Sequence, residues 1–404
     1  MTIESYNAQA NAESVLAERA LLVTVRFPHQ RDDDHEAVEE EMKRLAETAG
    51  LATVLTISQN LREPNAVTLI GKGKVEEIAD HIRQAPEIDA GRRGGKNRGI
   101  DIVVFGCDLS PVHQRNLEKI LGRRVIDRSE LILDIFAQHA VTRDGKIQVE
   151  LAQLQYLKPR LTGRGVELSR LGGGIGTRGP GETKLEVDRR KIDDRIRKLK
   201  SEYEKCRAVG RVQRRARQRG GALSAALVGY TNTGKSTILN RLTKSRVDAK
   251  DLLFCTLDTT TRRLRLPNGE RILLSDTVGF IENLPPPLLG AFRATLAEVE
   301  EADVLLHVLD ASSENSERHI EAVTDALKDL NALEKPMLTI LNKRDAVENP
   351  IDLRRLERIC APAIPFSALY DKDLTPLFDA LIQMAEEAKR QRNQPVEAEK
   401  EALF

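Results

Sequence analysis

Eight consecutive residues, Gly229-Tyr230-Thr231-Asn232-Thr233-Gly234-Lys235-Ser236, set a glycine five positions ahead of a Gly-Lys-Ser triplet. The apolar run 223–229 precedes them and a helical pattern over 235–243 follows, the strand-to-helix context that a phosphate loop requires. Glycines let the backbone N–H groups of residues 233–237, Thr237 included, curl around an anion at the positive end of a helix. Lys235 is expected to reach β- and γ-phosphates as a point charge, and the Ser236 hydroxyl to occupy one position on Mg2+.

Asp276-Thr277-Val278-Gly279 follows the apolar strand 271–275. Its carboxylate is placed to hold a water on Mg2+, and the Gly279 N–H to bind the γ-phosphate. Between the two motifs, Phe254-Cys255-Thr256-Leu257-Asp258 offers Thr256 as a second hydroxyl for the cation, with Thr259 and Thr260 as alternatives. Lys235, Thr256 and Gly279 are therefore the expected catalytic contacts, and Ser236, Thr256 and Asp276 the expected metal-site residues.

Asn342-Lys343-Arg344-Asp345 closes the apolar run 336–341. Asp345 can accept both the N1–H and the 2-amino group of guanine, which adenine does not offer, so the pair selects GTP over ATP. Asn342 is expected to tie this loop to the phosphate loop, and Lys343 to lie along the base. Ser367-Ala368-Leu369 completes the set, with the Ala368 amide facing guanine O6. Four elements in this order predict a GTPase. One departure bears on mechanism: Phe280 follows Gly279 where a water-orienting Gln is expected, so unaided hydrolysis is predicted to be slow. Asn232 is a candidate for helping to hold K+ beside the phosphates.

These motifs need a scaffold. The 404 residues correspond to two or three domains. Apolar strands at 21–27, 52–59 and 100–106 alternate with helical stretches at 36–49 and 74–84, which predicts a small parallel α/β domain over 20–145. From Ile147 the spacing becomes helical. Ile147, Leu151, Leu154 and Leu161 form one seam, and Leu185, Ile192, Ile196, Leu199, Tyr203 and Cys206 a second, heptad-like one. Together they predict an antiparallel helical hairpin over 146–221 with a Gly-rich tip at 163–181. Residues 222–390 read as a doubly wound α/β G domain with helices at 235–243, 288–301, 315–331 and 374–388, and one antiparallel edge hairpin at Asn268-Gly269. Residues 1–19 and 391–404 are expected to be a flexible start and a disordered tail.

Charge singles out the hairpin. Between Leu151 and Gly221 stand 20 Lys and Arg against 8 Asp and Glu, a net +12, in a chain whose total is +1. Arg164, Arg170 and Arg178 lie in the tip, and Arg211, Arg214, Arg215 and Arg217 in a helix end that carries no acid. This pattern predicts salt-sensitive contact with nucleic-acid phosphates. Aromatic residues are only 3% and Trp is absent, so base stacking is a poor candidate for the main contact. No run of 18 apolar residues, no apolar leader and no CxxC pair among four scattered cysteines point to a cytoplasmic protein without a membrane span. A second Gly-Lys passage, Gly71-Lys72-Gly73-Lys74, reads as a βα turn, with a second nucleotide site as the alternative.

The wording of the motifs resembles the HflX family of ribosome-associated GTPases. GYTNTGKST, TLDTTTR and DTVGFI carry the likeness, as do GKGKVEEI, LSPVHQRNLE, VIDRSELILDIFAQHA, QVELAQLQYLKPRL and GGGIGTRGPGETKLEVDRR. The resemblance spans about residues 20–390. It implies GTP and GDP as ligands, docking on the large (50S) ribosomal subunit and its rRNA, and separation of stalled ribosomes into subunits. It also implies a Gly/Arg tip that reaches toward the peptidyl-transferase region. Some members are credited with ATP use through the N-terminal domain, which here falls on Gly71–Lys74, so an ATP-dependent RNA-remodelling activity is the alternative. Residues 91–99 look like an insertion, and Thr259 stands where the family commonly has Pro. No sequence feature demands an obligate assembly, and a monomer is expected.

Overall fold

The computed structural model describes residues 17–28, 32–85, 99–161, 184–219, 223–244, 253–254, 259–281 and 296–393. These residues separate into two compact units, one drawn from Met1–Ile135 and Tyr156–Arg189, the other from Phe136–Gln155 and Arg190–Phe404.

The first unit is built on a four-stranded sheet of β1 (Arg19–Arg26), β2 (Ala52–Asn60), β3 (Ile102–Phe105) and β4 (Arg124–Asp127). All neighbours are parallel, in the order β2-β1-β3-β4. Helices α1 (Asp32–Thr48), α2 (Lys72–Gln84) and α3 (Pro111–Leu121) connect them. A parallel sheet covered by helices needs strands apolar on both faces, which is why β1 reads RALLVTVR with its centre fully buried. Leu21, Val23 and Val25 pack with Val75, Ile78 and Ile82 of α2 and Leu117 and Leu121 of α3. Ser110 caps α3 by accepting from His113 N at 3.1 Å, Pro111 opens the helix, and Gly122 ends it in the left-handed region. Neither α3 nor β4 is anticipated by the sequence reading, because LSPVHQRNLEKILGRRVID switches period within four residues.

At the end of β4, Asp127 is fully buried and collects four donors: Leu109 N (3.0 Å), Glu130 N (2.8 Å), Tyr156 Oη (2.8 Å) and Arg160 (3.0 Å). The Arg160 guanidinium also lies 3.5 Å over the Tyr156 ring. Burial pushes the Asp127 carboxyl up, and these donors oppose the shift. The network holds Arg160 immediately before the Gly-rich segment. That segment, with Arg164, Arg170 and Arg178, lies outside the described residues, as do 86–98.

Helix α4 (Arg128–His139) leads out of β4. In the second unit α5 (Arg143–Leu157) packs on α6 (Lys184–Arg219) through Ile147, Leu154, Ile196 and Leu199, flanked by Leu151, Ile192, Tyr203 and Cys206. Arg143 pairs with Glu202 and Glu150 with Arg195, so the partners run in opposite senses and the hairpin is antiparallel. Leu161 departs from the expected seam: it sits in a 3-10 turn, Lys158–Leu161, where Pro159 cannot continue the α-helical hydrogen bonds. Arg211, Arg214, Arg215 and Arg217 fall on α6, within the stretch whose side chains are not described.

The rest of the second unit is a six-stranded sheet in the order β10-β9-β8-β5-β7-β6. It comprises β5 (Leu223–Val228), β6 (Thr260–Arg265), β7 (Arg271–Asp276), β8 (Val304–Asp310), β9 (Met337–Asn342) and β10 (Ala363–Pro365). Only β6 runs antiparallel, joined to β7 through the turn at Asn268-Gly269, where Gly269 has φ +88°. Helices α7 (Lys235–Thr243), α8 (Ala297–Glu301), α9 (Ser316–Asp329), α10 (Pro350–Ile359) and α11 (Thr375–Asn393) accompany the strands. Of the helix expected over 288–301, only its end lies among the described residues. Helix α11 extends three residues into the expected disordered tail, because Arg390, Gln391 and Arg392 favour helix. No helix among the described residues is long and apolar enough to cross a membrane.

Candidate nucleotide-binding site

The phosphate loop sits where β5 ends and α7 begins, at the carboxyl edge of a parallel sheet. Gly234 adopts φ +94°, and a Cβ there would lie 2.4 Å from Asn342 Nδ2, so both conformation and space demand glycine. Lys235 is buried at the first turn of α7, and its Nζ donates to the carbonyls of Gly229 (3.1 Å) and Tyr230 (2.5 Å). Burial lowers its pKa to about 8, and the nearby Asp276 carboxylate partly restores it. The ammonium is thus held against loop carbonyls, ready for a stronger anionic partner.

Asp276 ends β7 with no exposed surface, and its Oδ2 accepts from Ser236 Oγ at 2.6 Å. Two hard oxygen groups converge beside the phosphate loop, a donor set suited to Mg2+, which keeps most of its waters and takes few protein oxygens. Thr277 Oγ1 donates to Leu227 O at 2.6 Å, and Val278 is buried, so the segment is sewn to β5. Phe280 N donates to Gly229 O (3.0 Å), and Thr231 N to Phe280 O (2.9 Å). The chain after Asp276 therefore pairs directly with the phosphate loop. Phe280 itself is buried and offers no polar group.

Asn342 behaves as the expected tie. Its Nδ2 donates to Thr233 O at 2.8 Å, and its Oδ1 accepts from Ala368 N at 3.0 Å. Two groups expected at the base have partners within the protein. The Ala368 amide, expected at guanine O6, is committed to Asn342 here. Lys343, expected along the base, reaches Asp310 Oδ2 at 2.7 Å, because an acid at the end of β8 is the nearest counter-charge. Asp345 lies exposed in a 3-10 turn, Arg344–Ala346. Arg344 pairs with Asp371 (2.6 Å), which also accepts from Ser367 N (2.7 Å) and shapes the Ser367-Ala368-Leu369 turn. Leu369 projects into solvent.

Thr233 Oγ1 donates to Tyr230 O at 3.1 Å, and Asn232 takes φ +59° within the same loop. Cys255, Thr256, Leu257 and Asp258 lie outside the described residues. Thr260, an alternative to Thr256, starts β6 directly opposite Asp276. Phe254 is buried, and its ring meets Phe136 of α4 edge-on, with centroids 4.7 Å apart. The Tyr230 ring stacks flat on His319 of α9 at 4.0 Å. Asp310, Asp371, His319 and Phe136 escape the sequence reading. Asp310 alone carries a signal, an acid directly after an apolar strand, as at Asp276.

At the second Gly-Lys passage, Lys72 and Lys74 pair with Glu76 and Glu77, and the Lys74 and Val75 amides donate to Gly71 O. The passage opens α2 at the end of a loop from Asn60, and its lysines pair within the helix's first turns.

Comparison with known proteins agrees with this geometry. Residues 36–137 match the family profile described as GTP-binding GTPase N-terminal, 139–217 the GTP-binding GTPase Middle Region, and 224–343 the 50S ribosome-binding GTPase. The chain is 47% identical to GTPase HflX of Lacrimispora saccharolytica over 84% of its own length and 77% of that protein's. To GTPase HflX of Escherichia coli (strain K12) it is 43% identical, over 82% and 74%. A crystal structure of SsGBP in complex with GDP superposes with a TM-score of 0.52 at 26% identity, covering 92% of this chain and 99% of the other. With the Gly229–Ser236, Asp276 and Asn342 segments tied together by hydrogen bonds and relatives this similar over most of the chain, the protein is a GTP-hydrolysing enzyme and belongs to the HflX family of GTPases.

Proposed function

We propose that the pocket formed by residues 229–237, 276–279, 342–345 and 367–369 binds GTP with Mg2+ and releases GDP and phosphate. We further propose that the nucleotide state controls docking on the large ribosomal subunit, leading to separation of stalled ribosomes. The observation that carries the reading is the 2.6 Å contact of Ser236 Oγ with Asp276 Oδ2 beside a buried Lys235 whose Nζ donates to two loop carbonyls. Mg2+ is the cofactor that GTPases of this kind generally use, and when bound it neutralises charge on the β- and γ-phosphates. Ser236, Asp276 and Thr256 would hold it.

Lys235 would leave its two carbonyls for the phosphates, and the Gly279 amide would bind the γ-phosphate. Phe254, Cys255, Leu257 and Asp258 would border the nucleotide beside Thr256. Asp345 would read the guanine edge, with Asn342 fixing the base loop to the phosphate loop. Asn232 would assist K+ beside the phosphates. The arginines of the tip (Arg164, Arg170, Arg178) and of the α6 end (Arg211, Arg214, Arg215, Arg217) would meet rRNA phosphates. The family profile's own description, 50S ribosome-binding GTPase, supports that partner. The protein would act as a cytoplasmic monomer.

The test is nucleotide binding by the full chain. Lys235→Ala is expected to lose GTP affinity by at least about a hundredfold, in line with loss of a charge-assisted contact worth several kcal/mol. Unchanged GTP affinity in that variant would refute the site. Single-turnover hydrolysis in KCl is expected to exceed that in NaCl, and equal rates would remove the role given to Asn232. Deleting residues 172–181 should spare GTP binding and abolish subunit separation; a fully active deletion would remove the role of the tip.

A further inference from the structure

Phe280 leaves the hydrolytic reaction short of a polar group, and the neighbouring geometry points to where that group is. The backbone of Phe280 is locked, its N–H on Gly229 O and its carbonyl on Thr231 N–H, and its side chain is buried. It cannot turn a polar atom toward the phosphates. The same pairing presses Thr231 against Gly279. A Cβ built on Gly279 would lie 2.7 Å from Thr231 Cα, 2.9 Å from Thr231 Cγ2 and 2.9 Å from Lys235 Nζ. The Thr231 backbone and methyl and the Lys235 ammonium therefore crowd the open face of Gly279, the residue whose amide is expected to contact the γ-phosphate.

Thr231 is also chemically unsatisfied. Its side chain is 6% exposed, yet its Oγ1 meets no hydrogen-bond partner in the described protein. The neighbouring hydroxyls are spoken for: Thr233 on Tyr230 O, Thr277 on Leu227 O, Ser236 on Asp276. A buried hydroxyl with no partner is unfavourable and is usually reserved for a ligand or a water. Threonine at this position, beside a lysine and a glycine both expected to contact phosphate, has a polar atom to offer and no hydrogen-bond partner among the described residues.

We propose that Thr231 is a catalytic residue of GTP hydrolysis, its Oγ1 holding the attacking water in place of the missing glutamine. The inference rests on the phosphate site described above. In the step it serves, the water oxygen bonds to the γ-phosphorus while the bond from that phosphorus to the β–γ bridging oxygen breaks. The electron pair leaves with GDP, and the water's proton passes to a γ-phosphate oxygen, giving inorganic phosphate. Thr231 Oγ1 accepts a hydrogen bond from the water and exchanges no proton. Orientation of this kind lowers the barrier without strengthening ground-state binding.

The experiment is single-turnover hydrolysis with the full chain, alongside GTP and GDP affinities measured with fluorescent analogues. Thr231→Val keeps the shape and removes the hydroxyl. It is expected to slow hydrolysis by about a hundredfold, the scale seen when one transition-state contact is lost, with both affinities changed less than about threefold. Thr231→Ser restores the hydroxyl and is expected to recover most of the rate. Binding of GDP with aluminium fluoride, a mimic of the transferring phosphoryl group, should fail in Thr231→Val and persist in Thr231→Ser. A Val variant that hydrolyses at the parent rate, or one that loses GTP affinity while its bound GTP turns over normally, overturns the proposal. Failure of the parent chain itself to bind GTP would instead sink the underlying site, so the two failures are distinguishable.

Discussion

The side-chain amide of Asn342 at the end of β9 donates to the backbone carbonyl of Thr233 in the phosphate loop, 2.8 Å away and 109 residues distant in sequence. One buried side chain thereby fixes the distance between the segment proposed to read a base and the segment proposed to hold phosphates. Its other atom accepts from Ala368 N, so a third loop hangs on the same residue.

Replacing Asn342 by Ala leaves a buried carbonyl and a buried amide without partners, at about 1–3 kcal/mol each. The expected outcome is a fall in both GTP and GDP affinity of at least about tenfold, together with a lower denaturation midpoint. Urea unfolding combined with nucleotide titration checks it. A variant as stable and as tight as the parent would show that the three loops are held by something else.

Nucleotide binding should take up a proton at mildly alkaline pH. Burial lowers the Lys235 pKa to about 8, below the ordinary lysine value of 10.5. An anionic partner favours the charged form and must raise it. Well below pH 8 the lysine is already protonated and contributes no pH dependence to affinity. Above 8 the proton must be bought from solvent, and affinity falls by up to about tenfold per pH unit until the pKa of the loaded state is reached. Calorimetry at pH 9 in two buffers of different ionisation enthalpy should return different apparent enthalpies. Identical values would mean that no proton is taken up.

Phe136 and Phe254 meet edge-on at 4.7 Å, both buried. Phe254 belongs to the segment that leads to Thr256, whereas Phe136 lies on α4. Phe136→Ala should cost about 3–5 kcal/mol of stability. A double-mutant cycle with Phe254→Ala should show coupling of about 0.5–1.5 kcal/mol, the usual worth of an aromatic pair beyond its buried area. Strict additivity in urea unfolding would show that the two rings do not support each other.

Asp345, proposed to read the base, offers a test by change of specificity. Asp345→Asn presents an amide N–H where the guanine 2-amino group would point, and that N–H suits the C2 carbonyl of xanthine instead. GTP affinity should fall by at least about a hundredfold while xanthosine triphosphate gains. Competition titration with the two nucleotides reads the ratio directly; an unchanged ratio would place base reading elsewhere.

Much of this site is legible in the sequence because its parts obey local rules. Gly229–Ser236 announces a phosphate loop since the backbone must turn sharply between β5 and α7, and few residues besides glycine allow it. The strands around it read clearly because a parallel sheet is apolar on both faces. The hairpin seam from Ile147 to Cys206 shows because helix packing repeats at a fixed period. What stays hidden depends on partners distant along the chain. Lys343 turns to Asp310, and Ala368 to Asn342, because the fold brings those groups nearest, and no spacing rule encodes that. The edge contact of Phe136 with Phe254 spans 118 positions and has no motif. The short elements α3 and β4 escape because their few apolar residues change period between one element and the next.

Co-sedimentation of the full chain with purified large ribosomal subunits addresses the central claim most directly, run in parallel with a non-hydrolysable GTP analogue, with GDP and with the matching ATP analogue. The account predicts association at least about tenfold tighter with the GTP analogue than with GDP, no stimulation by the ATP analogue, and steep weakening as salt is raised. Equal association in all three nucleotides would contradict it.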